Sequence, residues 1–367
     1  MRGRTRAFHT RSLRRQAWRM WLLAGILAST AVLVFAYNHE QDDVNSAPAL
    51  TRWCVNQAQP CSDQVTWSLN GSETNVDTSS GVSVVTTLQT AFASWQGASL
   101  SGQSVTGLSI TQGPASSATT INATDCVNVI GFADSNASSD FSTGTIAFTA
   151  IATAFGTPPT TYTCPSAGTE TCPLPSCIVD ADIEFNPSDT FSTATTTPSG
   201  DFDLQAIATH EAGHLLGMDH SGLASAIMFA FGDAGGVPNR NLSTDDVLGI
   251  GTIYPSSNFT SLVGTLNGTV TLSGSGVFAA HVVVTNATSG LAVADGLTNS
   301  NGTYSIVVPP GSYHLLALPL AGVYDLSDFA GWACGYEENG PPCCDPTSSG
   351  CTANALTPPT NYTGKYN

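Results

Sequence analysis

The stretch HEAGHLLGMDH, residues 210–220, decides how the whole chain is interpreted. Histidines four residues apart on a helix project from the same side, so His210 and His214 can bind one metal ion. Gly217 lets the chain leave the helix in a backbone conformation that other residues avoid, and His220 can then turn back as a third ligand. Three protein ligands and one open position for water are the coordination of a catalytic zinc. The stretch therefore predicts a Zn²⁺ site formed by these three histidines.

Glu211 is the candidate catalytic residue of the same stretch. It projects from the neighbouring angular position of the helix, where its carboxylate can reach a water molecule on the metal. As a general base it would take a proton from that water and pass it to a leaving amine, without a covalent intermediate. The alternative is a chance match of ordinary helix residues, but five fixed positions coincide at a given start with a frequency of about 10⁻⁶ to 10⁻⁷. We therefore expect a hydrolytic site.

The regions around this stretch are predicted to form strands and helices. Residues 203–216 are a strong helix candidate that ends at Gly217, and residues 244–253 are another, with Ser243 or Thr244 at the start. Earlier in the chain we expect strands at 65–70, 127–132, 145–149 and 178–185, a helix on the apolar stripe Val85, Leu88, Phe92 and Trp95, and a long surface loop at 156–177. The pattern predicts one folded region around the histidine stretch.

Further features of this region resemble the metzincin metallopeptidases, and among them most closely the matrixins. These are Ser221 directly after the third histidine, DADIEF (180–185) before the active helix, AFASW (91–95) in an early helix and LSTDDVLGIGTIYP (242–255) at the end. Met228 stands where the family places the methionine of its Met-turn.

The resemblance to matrixins implies the fold, the activity and the cofactors. It implies an α+β metzincin catalytic domain over residues 51–256, with a twisted mixed sheet and long helices. It also implies a zinc-dependent endopeptidase that binds a protein or peptide substrate in extended form beside an edge strand. Asn186 and Asp189 fall near the calcium-binding carboxylates of the family, so a structural Ca²⁺ is a second candidate cofactor. The alternative is that these residues lie in a solvated turn.

After residue 256 the sequence changes to short β-rich runs. Residues 257–320 predict a small antiparallel β-sandwich, in which TNSNGTYSIVVPPGSYHLLA (298–317) resembles carboxypeptidase regulatory-like or transthyretin-like modules. His281 and His314 are interpreted as ordinary strand residues. Residues 321–367 form a cysteine-containing C-terminal segment with little regular pattern.

The ten cysteines fall into two even groups. The first is Cys54, Cys61, Cys126, Cys164, Cys172 and Cys177, and the second is Cys334, Cys343, Cys344 and Cys351. Each group can close on itself as disulfides, and the connectivity stays open because six cysteines allow 15 pairings and four allow 3. A Cys-based zinc site is the disfavoured alternative, since no paired C-x-x-C spacing occurs. Disulfides among Cys164, Cys172 and Cys177 are our hypothesis for what holds the loop before the active helix.

The charge distribution separates the N-terminus from the rest of the 367-residue chain. Seven of the ten basic residues lie in the first 19 positions, and from residue 37 onward 3 basic residues face 27 acidic ones, a net charge of −24. A region with this negative charge repels phosphate backbones and anionic lipid, so nucleic acid is excluded as a partner. The apolar segment 21–36 follows the arginines and predicts either a signal peptide cleaved before Tyr37 or an uncleaved membrane anchor. Residues 37–50 are expected to be a linker.

Two hypotheses of function follow from these features. The first is an exported zinc endopeptidase, in contact with a membrane only if segment 21–36 stays uncleaved. The second is a surface binding or adhesion protein whose β-sandwich carries the function. The intact set of histidines and Glu211 favours the first.

Overall fold

The computed structural model describes residues 48–55 and 64–319, except 119–121, 123, 133–140, 142–143, 166–167 and 237–238, together with residues 5–7, 11–12, 39, 41–43 and 365–366. The helices of this part are α1 (Val84–Gln96), α2 (Leu204–Leu215), α3 (Thr244–Ile253) and α4 (Phe259–Leu262). None of the helices described is both long enough and apolar enough to cross a bilayer. The predicted signal or anchor segment, 21–36, lies outside the described residues.

The strands fall into two sets along the chain. Those before residue 256 are β1 (Thr5–Ala7), β2 (Arg11–Ser12), β3 (Gln41–Asp43), β4 (Pro48–Leu50), β5 (Arg52–Trp53), β6 (Val65–Leu69), β7 (Val76–Asp77), β8 (Ser99–Leu100), β9 (Gln103–Ser104), β10 (Ile110–Gln112), β11 (Val129–Gly131), β12 (Ala147–Phe155), β13 (Thr160–Cys164), β14 (Gly168–Cys172), β15 (Ser176–Phe185), β16 (Phe191–Ser192), β17 (Phe202–Asp203) and β18 (Phe231–Asp233). Those after it are β19 (Gly264–Thr269), β20 (Thr271–Leu272), β21 (Ser275–Gly276), β22 (His281–Asn286), β23 (Ala292–Leu297), β24 (Thr303–Val308), β25 (Tyr313–Leu318) and β26 (Lys365–Tyr366).

One mixed sheet forms the centre of the first set. Its strands lie in the order β10, β6, β11, β15, β12 and β2, with β5 also beside β15. The strands from β10 to β15 run parallel to their neighbours, whereas β12 runs antiparallel to β15 with Thr149 opposite Ile183. The predicted mixed sheet is confirmed. The helices are shorter than the resemblance implied, since α1, α2 and α3 have 13, 12 and 10 residues.

Helix α1 packs through the apolar stripe that the sequence indicated. Leu88, Phe92 and Trp95 are buried, whereas Val85 is half-buried and its neighbour Val84 takes the core position. Burying such side chains fully stabilises the fold by about 1.5–3 kcal/mol each. The helix is therefore held by its contacts with the sheet and with α2.

The stretch expected to be a long surface loop, 156–177, contains a hairpin instead. Strands β13 and β14 pair antiparallel, from Thr160 opposite Cys172 to Cys164 opposite Gly168. The β-branched threonines of TTYTC and GTETC favour extended backbone, a signal that the prolines and cysteines of the stretch obscured. The loop prediction was wrong for these ten residues.

Two disulfides hold this hairpin region. Cys172 bonds to Cys177, and Cys164 bonds to Cys126. The first pair lies within the three cysteines of our hypothesis, whereas the second extends beyond it. No cysteine that the structure describes is free. The second cysteine group, between positions 334 and 351, lies outside the described residues.

The strands after residue 256 form small antiparallel sheets, and the predicted β-sandwich over residues 257–320 stays a prediction. In one sheet β22 lies between β23 and β25, with β26 beside β25, and in another β19 pairs with β24. The two sheets share an apolar cluster made of Val282, Val284, Ala294, Ile306 and Val308. The resemblance of this region to particular modules stays a prediction.

The C-terminal sheets pack directly against the region of the histidine stretch. Leu248 of α3 is fully buried in the same cluster as Val282. Leu223 and Ala226, which follow the histidine stretch, pack with Val283. Two apolar contacts therefore join the C-terminal strands to the first part of the chain.

Candidate active site

Helix α2 carries the first two histidines, and both of its ends are fixed. At its start, Oδ1 of Asp203 accepts a hydrogen bond of 2.8 Å from the backbone N–H of Ala206, which makes Asp203 the N-cap. After its end, Gly217 has a φ of +89°, and a Cβ atom there would lie 2.5 Å from the carbonyl oxygen of Thr51. Only glycine fits this turn, and it redirects the chain toward His220.

The imidazoles of His210, His214 and His220 converge as the sequence predicted. Nε2 of His214 lies 3.0 Å from Nε2 of His210 and 3.2 Å from Nε2 of His220. All three side chains are buried. Among the residues that the structure describes, they are the one group of three or more His, Cys, Asp or Glu side chains close enough to share a metal ion.

The protonation of the first two histidines fits metal binding. Nδ1 of His210 donates to the carbonyl oxygen of Ile227 over 2.7 Å, and Nδ1 of His214 donates to that of Met218 over 2.8 Å. Burial, and then the neighbouring imidazoles, lowers the pKa of both well below 6.5, so both rings are neutral. Their Nε2 lone pairs therefore face each other, and a shared cation removes the repulsion. Three converging imidazole nitrogens are a donor set that suits Zn²⁺.

Glu211 is fully buried and directly follows His210 in the sequence. Its Oε2 accepts a hydrogen bond of 2.7 Å from the hydroxyl of Thr149 on β12. Its Oε1 has no hydrogen-bond partner within the described part of the chain. Burial raises the pKa of Glu211 to about 8, and the bond from Thr149 acts in the opposite direction. Within this part of the chain, Oε1 is available to accept a hydrogen bond from a water molecule or a substrate.

Met228 packs against helix α2 at a position that lacks a side chain. A Cβ atom on Gly213 would lie 2.3 Å from Sδ of Met228 and 2.7 Å from the ring of Trp95. Both Met228 and Trp95 are fully buried. Gly213 thus lets the methionine and α1 approach the helix directly before His214.

The turn at Met228 is tied to helix α3 by one carboxylate. Asp246 accepts hydrogen bonds from the backbone N–H of Ile227 over 2.8 Å and of Met228 over 3.1 Å. It also accepts from the N–H of Ser243 over 2.7 Å, as part of the capping box of α3. In the sequence, Asp246 was noted only within the stretch LSTDDVLGIGTIYP, so its role in the site was missed.

The chain directly after the third histidine is held in the same way. The N–H of Ser221 donates to the carbonyl oxygen of Met228 over 2.8 Å, and its hydroxyl donates to Asp245 over 2.7 Å. Burial, and then the nearby carboxylate of Asp295, raises the pKa of Asp245 well above its usual range. Thr149, Asp245 and Asp295 come from three separate elements, and no local sequence pattern joins them to the histidines.

The calcium prediction gains no support from the side chains involved. The side-chain oxygen of Asn186 accepts from the N–H of Ser188 over 2.9 Å, and its amide donates to the carbonyl oxygen of Thr145 over 2.8 Å. Asp189 lies close by, and its N–H donates to the carbonyl oxygen of Asn186 over 3.1 Å. These contacts stabilise the turn itself, and calcium stays a prediction.

Comparison with known proteins finds a family whose sequences resemble the part of the chain that holds this site. Residues 169–255 match the sequence profile of the Matrixin family. The chain is similar to "Hatching enzyme" of Paracentrotus lividus, with 37% identity over 79 residues, covering 22% of this chain and 13% of the relative. It is also similar to "Metalloendoproteinase 1" of Glycine max, with 38% identity over 82 residues, covering 21% and 25%. A third relative, "Metalloendoproteinase 5-MMP" of Arabidopsis thaliana, is 46% identical over 52 residues, covering 14% of each chain.

The family match includes the histidine stretch and Met228. The matched part spans a quarter or less of the length of each of these relatives.

Proposed function

We propose that this chain, which carries a matrixin-type catalytic domain around residues 169–255, is an exported zinc-dependent endopeptidase. One observation carries the proposal. Three buried imidazoles converge on one point, and Glu211, which follows His210 on the same helix, is buried with one carboxylate oxygen that has no partner among the described residues.

In this proposal His210, His214 and His220 hold Zn²⁺ through their Nε2 atoms. When bound, the metal polarises the scissile carbonyl and acidifies water at the site. Oε1 of Glu211 accepts the proton of the attacking water, while Thr149 keeps the carboxylate in one orientation through Oε2. Glu211 then donates this proton to the nitrogen of the leaving amine.

Strand β12 is the proposed place for the substrate backbone. Its inner side pairs with β15 along its whole length, whereas, among the described residues, its outer side pairs only through Ala150 and Ile151, opposite β2. The same strand carries Thr149, which contacts Glu211. An extended peptide that adds to the outer side of β12 would therefore lie beside the catalytic carboxylate.

We propose that the chain is exported from the cytoplasm. Two disulfides in the described part suit a non-reducing compartment. The basic segment followed by the apolar stretch 21–36 is the order of residues in an export signal.

The test uses the purified exported chain with a casein-type substrate. We expect hydrolysis that a zinc chelator abolishes and that added Zn²⁺ restores. Glu211→Ala should keep one equivalent of zinc and lose activity by about 10²- to 10⁴-fold, because it removes the acid–base group and leaves the ligands intact. Glu170→Ala, in hairpin strand β14, is the matched control and should behave like the wild type.

Substantial hydrolysis by Glu211→Ala, or hydrolysis that is insensitive to chelators, would contradict the mechanism. Zinc binding without any peptide cleavage would favour the binding or adhesion hypothesis instead.

A further inference from the structure

A carboxylate from the C-terminal strands reaches the chain just beyond the third histidine. Oδ2 of Asp295, on β23, accepts a hydrogen bond of 3.0 Å from the backbone N–H of Gly222. Its Oδ1 lies 3.3 Å from the hydroxyl of Ser221. Asp295 is only 4% exposed. The two residues after His220 are thus held by a strand that lies more than 70 positions further along the chain.

Gly222 lies so close to this carboxylate that no side chain would fit between them. A Cβ atom there would lie 2.6 Å from Oδ2 of Asp295 and 2.6 Å from Nε2 of His281. His281 itself contacts Asp295, with 2.5 Å between Nε2 and Oδ2. The φ angle of Gly222 lies outside the left-handed region, so the lack of space, and not the backbone conformation, excludes a side chain. His281 is therefore more than the ordinary strand residue that the sequence suggested.

The same contact continues into helix α3 and an apolar cluster. The N–H of Asp295 donates to Oδ1 of Asp245 over 3.0 Å, and Asp245 accepts the hydroxyl of Ser221 through its other oxygen. Leu223 and Ala226 pack with Val283 on the neighbouring strand. Polar and apolar contacts both place the C-terminal strands against the segment between His220 and Met228.

We infer that Asp295 is a positioning residue for the third zinc ligand, and that it acts on His220 through the hydroxyl of Ser221 and the backbone N–H of Gly222. The inference rests on the proposed function, because it takes His220 as a ligand. His210 and His214 are fixed relative to each other by one helix turn. His220 lies outside helices and strands, so its position depends on the contacts of the neighbouring residues. Asp295 contacts the two residues that follow it, Ser221 and Gly222.

The first experiment compares three variants of the full exported chain. Asp295→Ala removes the acceptor of Gly222, and Asp295→Asn keeps an oxygen that can accept the same bond. Thr298→Ala is the matched control, since Thr298 is fully buried in the same region and its hydroxyl bonds to Val277 and Ala280, away from the site. Zinc affinity is measured by competition with a chelating dye, and the site geometry by the visible spectrum of the Co²⁺-substituted protein.

We expect Asp295→Ala to weaken zinc binding by about 10- to 100-fold, the usual effect of losing a group that orients a ligand. Its Co²⁺ spectrum at saturation should differ from that of the wild type, and Asp295→Asn should restore most of both properties. Thr298→Ala should lower the melting temperature and leave zinc affinity and spectrum unchanged.

A second experiment approaches the same contact from the other side and serves if Asp295→Ala fails to fold. Gly222→Ala should weaken zinc binding in the wild type, because the new methyl group displaces Asp295 and His281. In a background with His281→Ala and Asp295→Asn, the same change should cost less, since space has been made. Equal losses in both backgrounds would contradict the inference.

The two proposals fail in different ways. If the wild type neither binds zinc nor cleaves peptides, the proposed function is wrong. If the wild type does both and Asp295→Ala binds zinc as tightly and with the same Co²⁺ spectrum, only the role of Asp295 is wrong.

Discussion

The hydroxyl of Thr149 donates a hydrogen bond of 2.7 Å to Oε2 of Glu211, a residue 62 positions away in the sequence. The same hydroxyl lies 3.1 Å from the main-chain carbonyl oxygen of Glu211. A single side chain on β12 thereby sets the orientation of the buried carboxylate against helix α2.

Thr149→Val should slow catalysis and leave zinc binding intact. Valine has nearly the same shape but no hydroxyl, so Glu211 loses the bond that orients it. Hydrogen bonds to charged groups contribute about 1.5–3 kcal/mol, which corresponds to a decrease in kcat of about tenfold or more. Steady-state kinetics and zinc content check this. Thr153→Val, on the same strand, is the control and should keep the wild-type kcat; an equal decrease there would point to a general effect on β12.

Gly217→Ala should destabilise the protein more than Gly200→Ala. Both glycines have positive φ, +89° and +102°, so alanine costs about 1–2 kcal/mol of backbone strain at either position. At Gly217 the new Cβ would also lie 2.5 Å from the carbonyl oxygen of Thr51, whereas nothing lies within 4 Å at Gly200. The close contact should add about 1–3 kcal/mol. Urea unfolding measures the difference, and equal free energies of unfolding for the two variants would refute the steric argument.

Asp180 should make the protein less stable as the pH rises from about 4 to about 8. Burial, and then the nearby Asp182, raises its pKa from 3.8 to about 8 in the folded state. In that window the unfolded chain releases a proton that the folded chain retains, so the free energy of unfolding falls with rising pH. Asp180→Asn removes this proton and should flatten the dependence, as measured by urea unfolding at several pH values.

Asp182→Asn is a companion to that measurement and should lose stability as well as lower the pKa of Asp180. The two carboxylate oxygens of Asp182 accept bonds of 2.7 Å from the backbone N–H groups of Val129 and Asn122. An amide would turn an NH₂ group toward one of these donors, so this variant should be destabilised across the window. Stability of Asp182→Asn equal to that of the wild type would contradict the assignment of these bonds.

The two disulfides should differ in their contribution to stability. Cys126 and Cys164 are 38 positions apart, whereas Cys172 and Cys177 are 5 apart. In the chain-entropy model the longer loop contributes about 4 kcal/mol and the shorter one about 2 kcal/mol. Replacing each pair by serines and measuring urea unfolding tests this order, and a larger loss for the short loop would reverse it.

The sequence was most informative where the chemistry is local. Residues four apart on one helix, a glycine that ends it and a histidine three positions later define the zinc-site prediction, and all three imidazoles do converge. The starts of α2 and α3 could also be predicted, because caps such as Asp203 and Ser243 act within one helical turn.

What could not be predicted depends on contacts between distant segments. Thr149 is one threonine among many until β12 is placed beside α2. Asp295 and His281 look like ordinary strand residues until β22 and β23 pack on the segment after His220. The hairpin at β13 and β14 was missed for a different reason, since the prolines and cysteines of the stretch obscured the β-branched threonines of its strands.

The single carboxylate of Asp246 has a consequence for how the native state opens. It accepts the N–H groups of Ile227 and Met228 and also that of Ser243 at the first turn of α3. Fraying of that turn and release of the methionine turn must therefore occur as one cooperative event, and the three amides should share one free energy of opening in hydrogen exchange. Helix α3 is thus part of the same unfolding unit as the turn at Met228.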